Sequence, residues 1–281
     1  MVVGPTFRRR RLGAVLRKLR EGSSFKLEEV AIHLGVAPST LSRIETGKAP
    51  TRSSYLAVML ELYGVDDPVE RQLLADLARE GQRKGWWAHY DDVLPAGSGT
   101  YLGLEAEASA LATFQAQVLP GLLQTADYAR ATIRAARPDL TAEQAERLVA
   151  VQRRRQEVLL GSDPLRLRAV IDESVLLRSV GTRPVMKRQL ERLLAAAAEP
   201  SLTVQVLPLS GGKQPVLSGS FGILSFAEPT DADVVCAEGI SGDVLITERG
   251  SQVHAVRARF DALSSVALSA DESAALIRDH A

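Results

Sequence analysis

Apolar residues recur at helical spacing three times within the first 64 positions: Leu12, Val15, Leu16 and Leu19, then Leu27, Val30, Ala31 and Leu34, then Leu56, Leu60 and Tyr63. Spacings of three and four place each set on one buried stripe of an α-helix. Gly35, at the end of the second stripe, supplies the backbone freedom of a sharp interhelical turn. Pro38 then suits the first turn of a new helix, where its missing N–H is not needed, and Leu41 and Ile44 anchor that helix inward. At about 100° per residue, Ser39, Ser42, Arg43 and Thr46 face away from the anchor, and Thr40 lies beside them. The pattern predicts a small all-helical bundle over residues 7–66 with a helix-turn-helix at its centre.

A helix laid in the major groove by that geometry offers hydroxyls and a guanidinium to bases and phosphates. Charge agrees: residues 1–60 carry 11 Lys and Arg against 4 Asp and Glu, a net of +7, while the whole chain sums to zero. Phosphate neutralisation supplies most non-specific affinity for duplex DNA. Lys26, Lys48 and Arg52 therefore join Ser39, Thr40, Ser42, Arg43 and Thr46 as expected DNA contacts, with Arg8–Arg11 as a basic arm that orders on DNA. The run LSRIETGKAP with the preceding VAIHLGV resembles the Cro and λ-repressor-like (XRE) helix-turn-helix family. That resemblance implies that Ser42 and Arg43 face DNA and that Glu45 braces the first helix through Arg17 or Arg20. Ala37 departs from it, standing where a capping Ser or Thr is common. A helical hairpin with a merely solvated polar face is the alternative reading of the segment.

Beyond Gly64 the pattern changes. VDDPVERQLLADLARE reads as a helix, GQRKGWWAHYDDVLP gathers both tryptophans, and PAGSG at 95–99 reads as a loop and hinge, so residues 67–100 form an expected helical linker with an aromatic cluster. LEAEASALATFQAQ reads as helix, followed by helices from Thr125 to about Arg137 and from Thr141, capped with Gln144, through Leu160. LRLRAVID and SLTVQVLP alternate as strands around the helical PVMKRQLERLLAAAAE. FGILSFAE, DVVCAEG and GDVLIT follow as short strands before helices at Gln252–Leu263 and Asp271–Asp279. The expected fold is α+β and multidomain: an N-terminal helix-turn-helix bundle, a helical segment, and a mixed α/β domain over 101–281.

Composition narrows the function. Hydrophobic content of 46% with 24% charged residues fits a globular protein, and no apolar run approaches the ~20 residues that span a bilayer. The start MVVGPTFRRRR lacks an apolar leader core, and the single Cys236 cannot pair internally, so a cytoplasmic location is expected and no membrane partner. No phosphate loop, GxSxG, HExxH or paired cysteines occur, and the four histidines are scattered. No catalytic residue, metal or cofactor is expected, although Asp172 and Glu173 at a strand end leave an enzymatic reading open.

The larger part resembles a domain of unknown function that follows an XRE-type helix-turn-helix in actinobacterial, antitoxin-like transcriptional regulators. The stretches REGQRKGWWAHYDDVLP, TYLGLEAEASALATFQAQVLPGLLQTADYARA, RRRQEVL with VIDESVLLRSVG, and VMKRQLERLL carry the match. It implies double-stranded DNA as a partner and a small protein encoded by a neighbouring gene as another; a homodimer on an inverted repeat follows from the need to join weak half-sites. Trp86, Trp87 and Tyr90 are candidates for ligand or base stacking, against burial at a domain junction. Glu105, Gln124, Tyr128, Arg154 and Glu173, polar or part-polar residues within the family-like stretches, are the candidate pocket or interface. A small-molecule sensor is the alternative to protein docking.

Overall fold

The computed structural model describes residues 7–82, 85–210, 219–228, 231–239 and 242–281. Residues 1–6, on which the expectation about a leader rests, lie outside the described residues, as do Arg83 and Lys84 of the aromatic stretch. The chain divides into two compact units, the first ending at His89 and the second beginning at Tyr90. It is α+β: an N-terminal helical unit and a second unit built on a mixed six-stranded sheet. No helix among the described residues is long and apolar enough to cross a membrane.

The first unit holds α1 (Phe7–Gly22), α2 (Leu27–Leu34), α3 (Pro38–Glu45), α4 (Ser53–Leu62) and α5 (Pro68–Gly81). Leu12, Leu16, Val30, Ala31, Leu41, Ile44, Leu56, Met59 and Leu60 form its core, with Leu74 and Ala78 of α5. The stripes expected from spacing are thus the buried ones. Asp67 caps α5 by accepting the Val69 N–H, and Pro68 sits in its first turn. Because α5 packs on α1 and α4, residues 68–81 complete the bundle and are no linker. The arginine run is also different from an arm: α1 begins at Phe7, Arg8 pairs with Glu80, and Arg9 donates to the Gly81 carbonyl. Half-buried and bonded to α5, Arg8 and Arg9 fasten the first turn of α1.

The second unit opens with α6 (Ser98–Glu105) and β1 (Ala110–Gln115), then α7 (Ala126–Ala136), α8 (Ala142–Arg155), β2 (Arg166–Asp172), α9 (Ser174–Leu177), α10 (Arg183–Ala197) and β3 (Leu202–Leu207). It closes with β4 (Phe221–Ser225), β5 (Val234–Glu238), β6 (Val244–Thr247), α11 (Gly250–Val266) and α12 (Ala270–Asp279). The sheet order is β3-β2-β1-β4-β5-β6; β1, β2 and β3 run parallel, and β4, β5 and β6 continue antiparallel. Phe114, Val170, Ile223 and Val235 form one face, packed against Val253, Phe260 and Leu263 of α11. The alternate residues Leu167, Ala169, Ile171, Val204 and Val206 are buried too, so the parallel half is covered on both faces. Thr125 and Thr141 cap α7 and α8, the second with Gln144 in a reciprocal capping box.

Two expectations are corrected here. The run LEAEASALATFQAQ is not a helix: α6 ends at Glu105, and ALATFQ is β1, the strand where parallel and antiparallel halves meet. Its alanines favour helix locally, and pairing to both β2 and β4 overrides that preference. PAGSG is not a hinge between units either. The Ala96 carbonyl accepts the Val244 N–H at 2.9 Å, and Gly97, at φ +81, lies so close to β6 that a Cβ would stand 2.4 Å from the Val244 carbonyl oxygen.

Candidate nucleic-acid interface and a buried polar centre

The turn between α2 and α3 forms as its residues require. Gly35 adopts φ +63, and the Val36 N–H returns to the Ala31 carbonyl at 3.0 Å, closing the end of α2. Ala37 begins α3 without a side-chain cap, Pro38 occupies its first turn, and the buried Leu41 and Ile44 fix its rotation. Ser39, Ser42, Arg43, Thr46, Lys48, Arg52 and Lys26 are exposed; Thr40 is half-buried. Two of these already have intramolecular partners. The Thr46 hydroxyl donates to the Ser42 carbonyl at 2.7 Å, and the Arg52 guanidinium lies 5.6 Å from the centre of the Tyr55 ring.

Behind α3, Arg20 and Glu45 form a two-pronged pair: Nε donates to Oε1 at 2.7 Å and Nη2 to Oε2 at 3.0 Å. Nη1 donates to the Phe25 carbonyl at 3.0 Å, so one guanidinium ties α1 to α3 and to the loop before α2. Both side chains are buried, and the hydrogen bonds that Arg20 donates to Glu45 hold its charge firmly, raising its already high pKa. Arg17 is not that partner; it pairs with Glu21 on the surface. Gly13 lets α1 approach α3 closely, and Gly47, at φ +70, does the same beside Arg10.

The second unit contains a polar centre that sequence reasoning found only in part. Glu105, 1% exposed at its side chain, accepts from Arg155 Nε and Nη2, each at 2.8 Å, and from the Tyr101 hydroxyl at 2.6 Å. Arg155 Nη1 donates to Gln152 Oε1 at 2.7 Å, and its guanidinium lies 5.2 Å from the Tyr101 ring centre. Burial opposes the Arg155 charge, but Glu105 outweighs it and raises its pKa; burial, then Glu105, keeps the Tyr101 phenol protonated. A Cβ at Gly121 would lie 2.3 Å from Gln152 Nε2, so any larger residue there would push the Gln152 amide away from its place beside Arg155. Burial also raises Glu238, which Arg155 counteracts.

Cys236 is the buried strand residue that its apolar run implies. Its thiol donates to the Gly222 carbonyl and is pushed up to about 12, first by burial and then by Glu105. In native protein at pH 8 it is expected to react with an aromatic disulfide reagent far more slowly than free cysteine, and at the free rate once unfolded. Fast reaction in the native state would contradict this burial.

The nominated ligand set does not assemble. Glu105 belongs to the centre just described, but Arg154 points outward and pairs with Glu157; its neighbour Arg155 is the inward residue. Tyr128 is fully buried and accepts the Leu119 N–H through its hydroxyl, while Gln124 donates to the Leu119 carbonyl at 2.8 Å. Both fasten the PGLLQT turn from inside, with Gln189, which sequence reasoning missed: Nε2 donates to the Leu123 carbonyl at 2.9 Å and Oε1 accepts the Thr125 N–H at 2.6 Å. Glu173 lies elsewhere, accepting the Leu209 N–H at 2.7 Å, and Asp172 accepts from the Ser174 backbone N–H. The aromatic cluster is divided as well. Trp87 is buried and meets Trp86 edge-on at 5.8 Å in the first unit, while Tyr90 begins the second and stacks with Arg147.

Comparison with known families separates the same two regions. Residues 11–74 match a helix-turn-helix domain, and residues 98–279 match a domain of unknown function, DUF5753. No curated protein matches the chain.

Proposed function

Because the chain belongs to the family defined by the DUF5753 domain of unknown function and carries a helix-turn-helix domain, we propose that it is a sequence-specific DNA-binding transcriptional regulator of the XRE type. One observation carries this reading. The exposed, hydroxyl-rich face of α3, with Arg43 at its centre, is held in place from behind by the buried Arg20–Glu45 pair. A solvated surface helix has no need of such a brace; a helix that must present side chains to base edges does.

A single short helix offers few contacts, so we place the protein on DNA as a dimer over an inverted repeat, each copy reading one half-site. The second unit is assigned a regulatory role and no catalysis. The resemblance to antitoxin-like actinobacterial regulators supports a small protein partner for it.

The test is a footprint and gel shift on DNA upstream of the protein's own gene at two salt concentrations. Wild-type protein is expected to protect an inverted repeat and to release it as salt rises. Arg43→Ala should cost roughly 1–3 kcal/mol of binding, and Arg154→Ala, on the surface of the second unit, nothing. Equal affinity of wild type and Arg43→Ala at both salts would remove α3 as the reading helix.

A further inference from the structure

The geometry points to a binding pocket in the second unit for a small organic anion, at the α9–α10 connection. A cavity of about 480 Å³ opens there, lined by Arg178, Ser179 and Arg183, by Met186 and Leu190 of α10, and by His280 at the end of α12. Its volume falls in the range of small-ligand sites.

Charge decides the class of ligand. Among the described residues neither Arg178 nor Arg183 has an ion-pair partner, and both are exposed at the rim. Elsewhere in this unit Arg130, Arg137, Arg147, Arg154, Arg155, Arg188 and Arg257 each pair with a carboxylate, whereas these two guanidinium groups line one cavity with no such partner among the described residues. His280 Nε2 is buried without a hydrogen-bond partner among the described residues. The Glu173 carboxylate lies 3.9 Å from it, beyond hydrogen-bond reach, and is held by the Leu209 N–H. An anionic group in the cavity would meet both guanidinium groups.

The α9–α10 connection follows the carboxyl end of β2, so the N-terminus of the 15-residue α10 opens there, with its partial positive charge. Pro184 and the Val185 and Met186 N–H groups, both bonded to the Thr182 carbonyl, leave the helix few donors, which assigns direct anion contact to the side chains. Met186, Leu176 and Leu190 supply an apolar wall. A carboxylate or phosphate on a short hydrocarbon chain fits both parts, and the site does not depend on the first unit binding DNA.

Methyl-labelled methionine provides the test in the full-length protein. Met186 lines the cavity and Met59 is buried in the first unit, an internal control; Met186→Leu assigns the signals. Titration with hexyl phosphate is expected to shift the Met186 methyl resonance saturably and leave Met59 still, whereas hexanol shifts neither. Arg178→Ala/Arg183→Ala, on the surface, should weaken hexyl phosphate binding by about tenfold or more. Hexanol acting as strongly as hexyl phosphate, no saturable shift, or wild-type affinity in the double variant would each overturn the site.

Discussion

Glu105→Ala is expected to lower the stability of the second unit by about 3–5 kcal/mol, the usual cost of stranding a buried charge. The variant leaves the Arg155 guanidinium without its paired carboxylate, with Gln152, the Tyr101 ring and hydroxyl and the more weakly coupled Glu238 around it, and deprives that hydroxyl of its acceptor. Domains of ordinary size have about 5–15 kcal/mol in total, so the loss is a large fraction. The chain carries its own reporters. Cys236, the single cysteine, lies in β5 and becomes reactive when the second unit unfolds; Trp86 and Trp87 are the only tryptophans and lie in the first. The urea midpoint for thiol exposure should fall sharply while the tryptophan transition stays in place. Replacing the whole centre with Glu105→Leu, Arg155→Met and Tyr101→Phe should recover most of the loss, because no buried charge or hydroxyl of the centre is then stranded and Glu238, which loses a cationic neighbour, is itself exposed to solvent. A cost below about 1 kcal/mol for Glu105→Ala would mean that water reaches Arg155 and that the pair is no keystone.

The helix-turn-helix was legible because its information is local. Spacing set the buried stripes, Gly35 set the turn, and the rotation fixed by Leu41 and Ile44 set the outward face; the structure places each as the pattern requires. Even the Arg20–Glu45 brace was within reach, as one of two arginines a turn apart. The second unit was less legible wherever partners distant in sequence decide. β1 carries helix-favouring alanines, and its strand state follows from neighbours beginning about 55 and 110 residues further on. Among Arg153, Arg154 and Arg155 the inward one depends on helix phase. The signal was present: Arg155 stands four positions after the buried Val151, and Tyr101 four before Glu105, so both are helix neighbours of inward groups. Gln189 gave no such signal, since its two bonds are to backbone groups of a turn more than sixty residues away.

Gly13→Ala inverts an ordinary rule about helices. At an exposed interior position the change stabilises a helix by about 1 kcal/mol, since alanine loses less backbone entropy. At Gly13 the added Cβ would stand 2.6 Å from the carbonyl oxygens of Ile44 and Glu45 and 2.8 Å from the Glu45 carbonyl carbon. These are backbone atoms, which cannot rotate aside as a side chain would. Relief requires α1 to move off the end of α3, stretching the Arg20–Glu45 bonds and opening the contact around Leu12, Leu16 and Ile44. Overpacking of this kind costs about 1–3 kcal/mol, so sterics outweigh propensity and the first unit is destabilised overall. Gly22→Ala, in the same helix with nothing within 4 Å of the place its methyl would occupy, isolates the propensity effect and should be neutral or slightly stabilising. Tryptophan-detected unfolding separates the two. Because the displacement tilts the helix bearing Arg43, Gly13→Ala should also weaken operator binding at temperatures where the unit is still folded, whereas Gly22→Ala should not. Equal behaviour of the two variants would show that α1 does not set the position of α3, and the brace behind the reading face would lose its role.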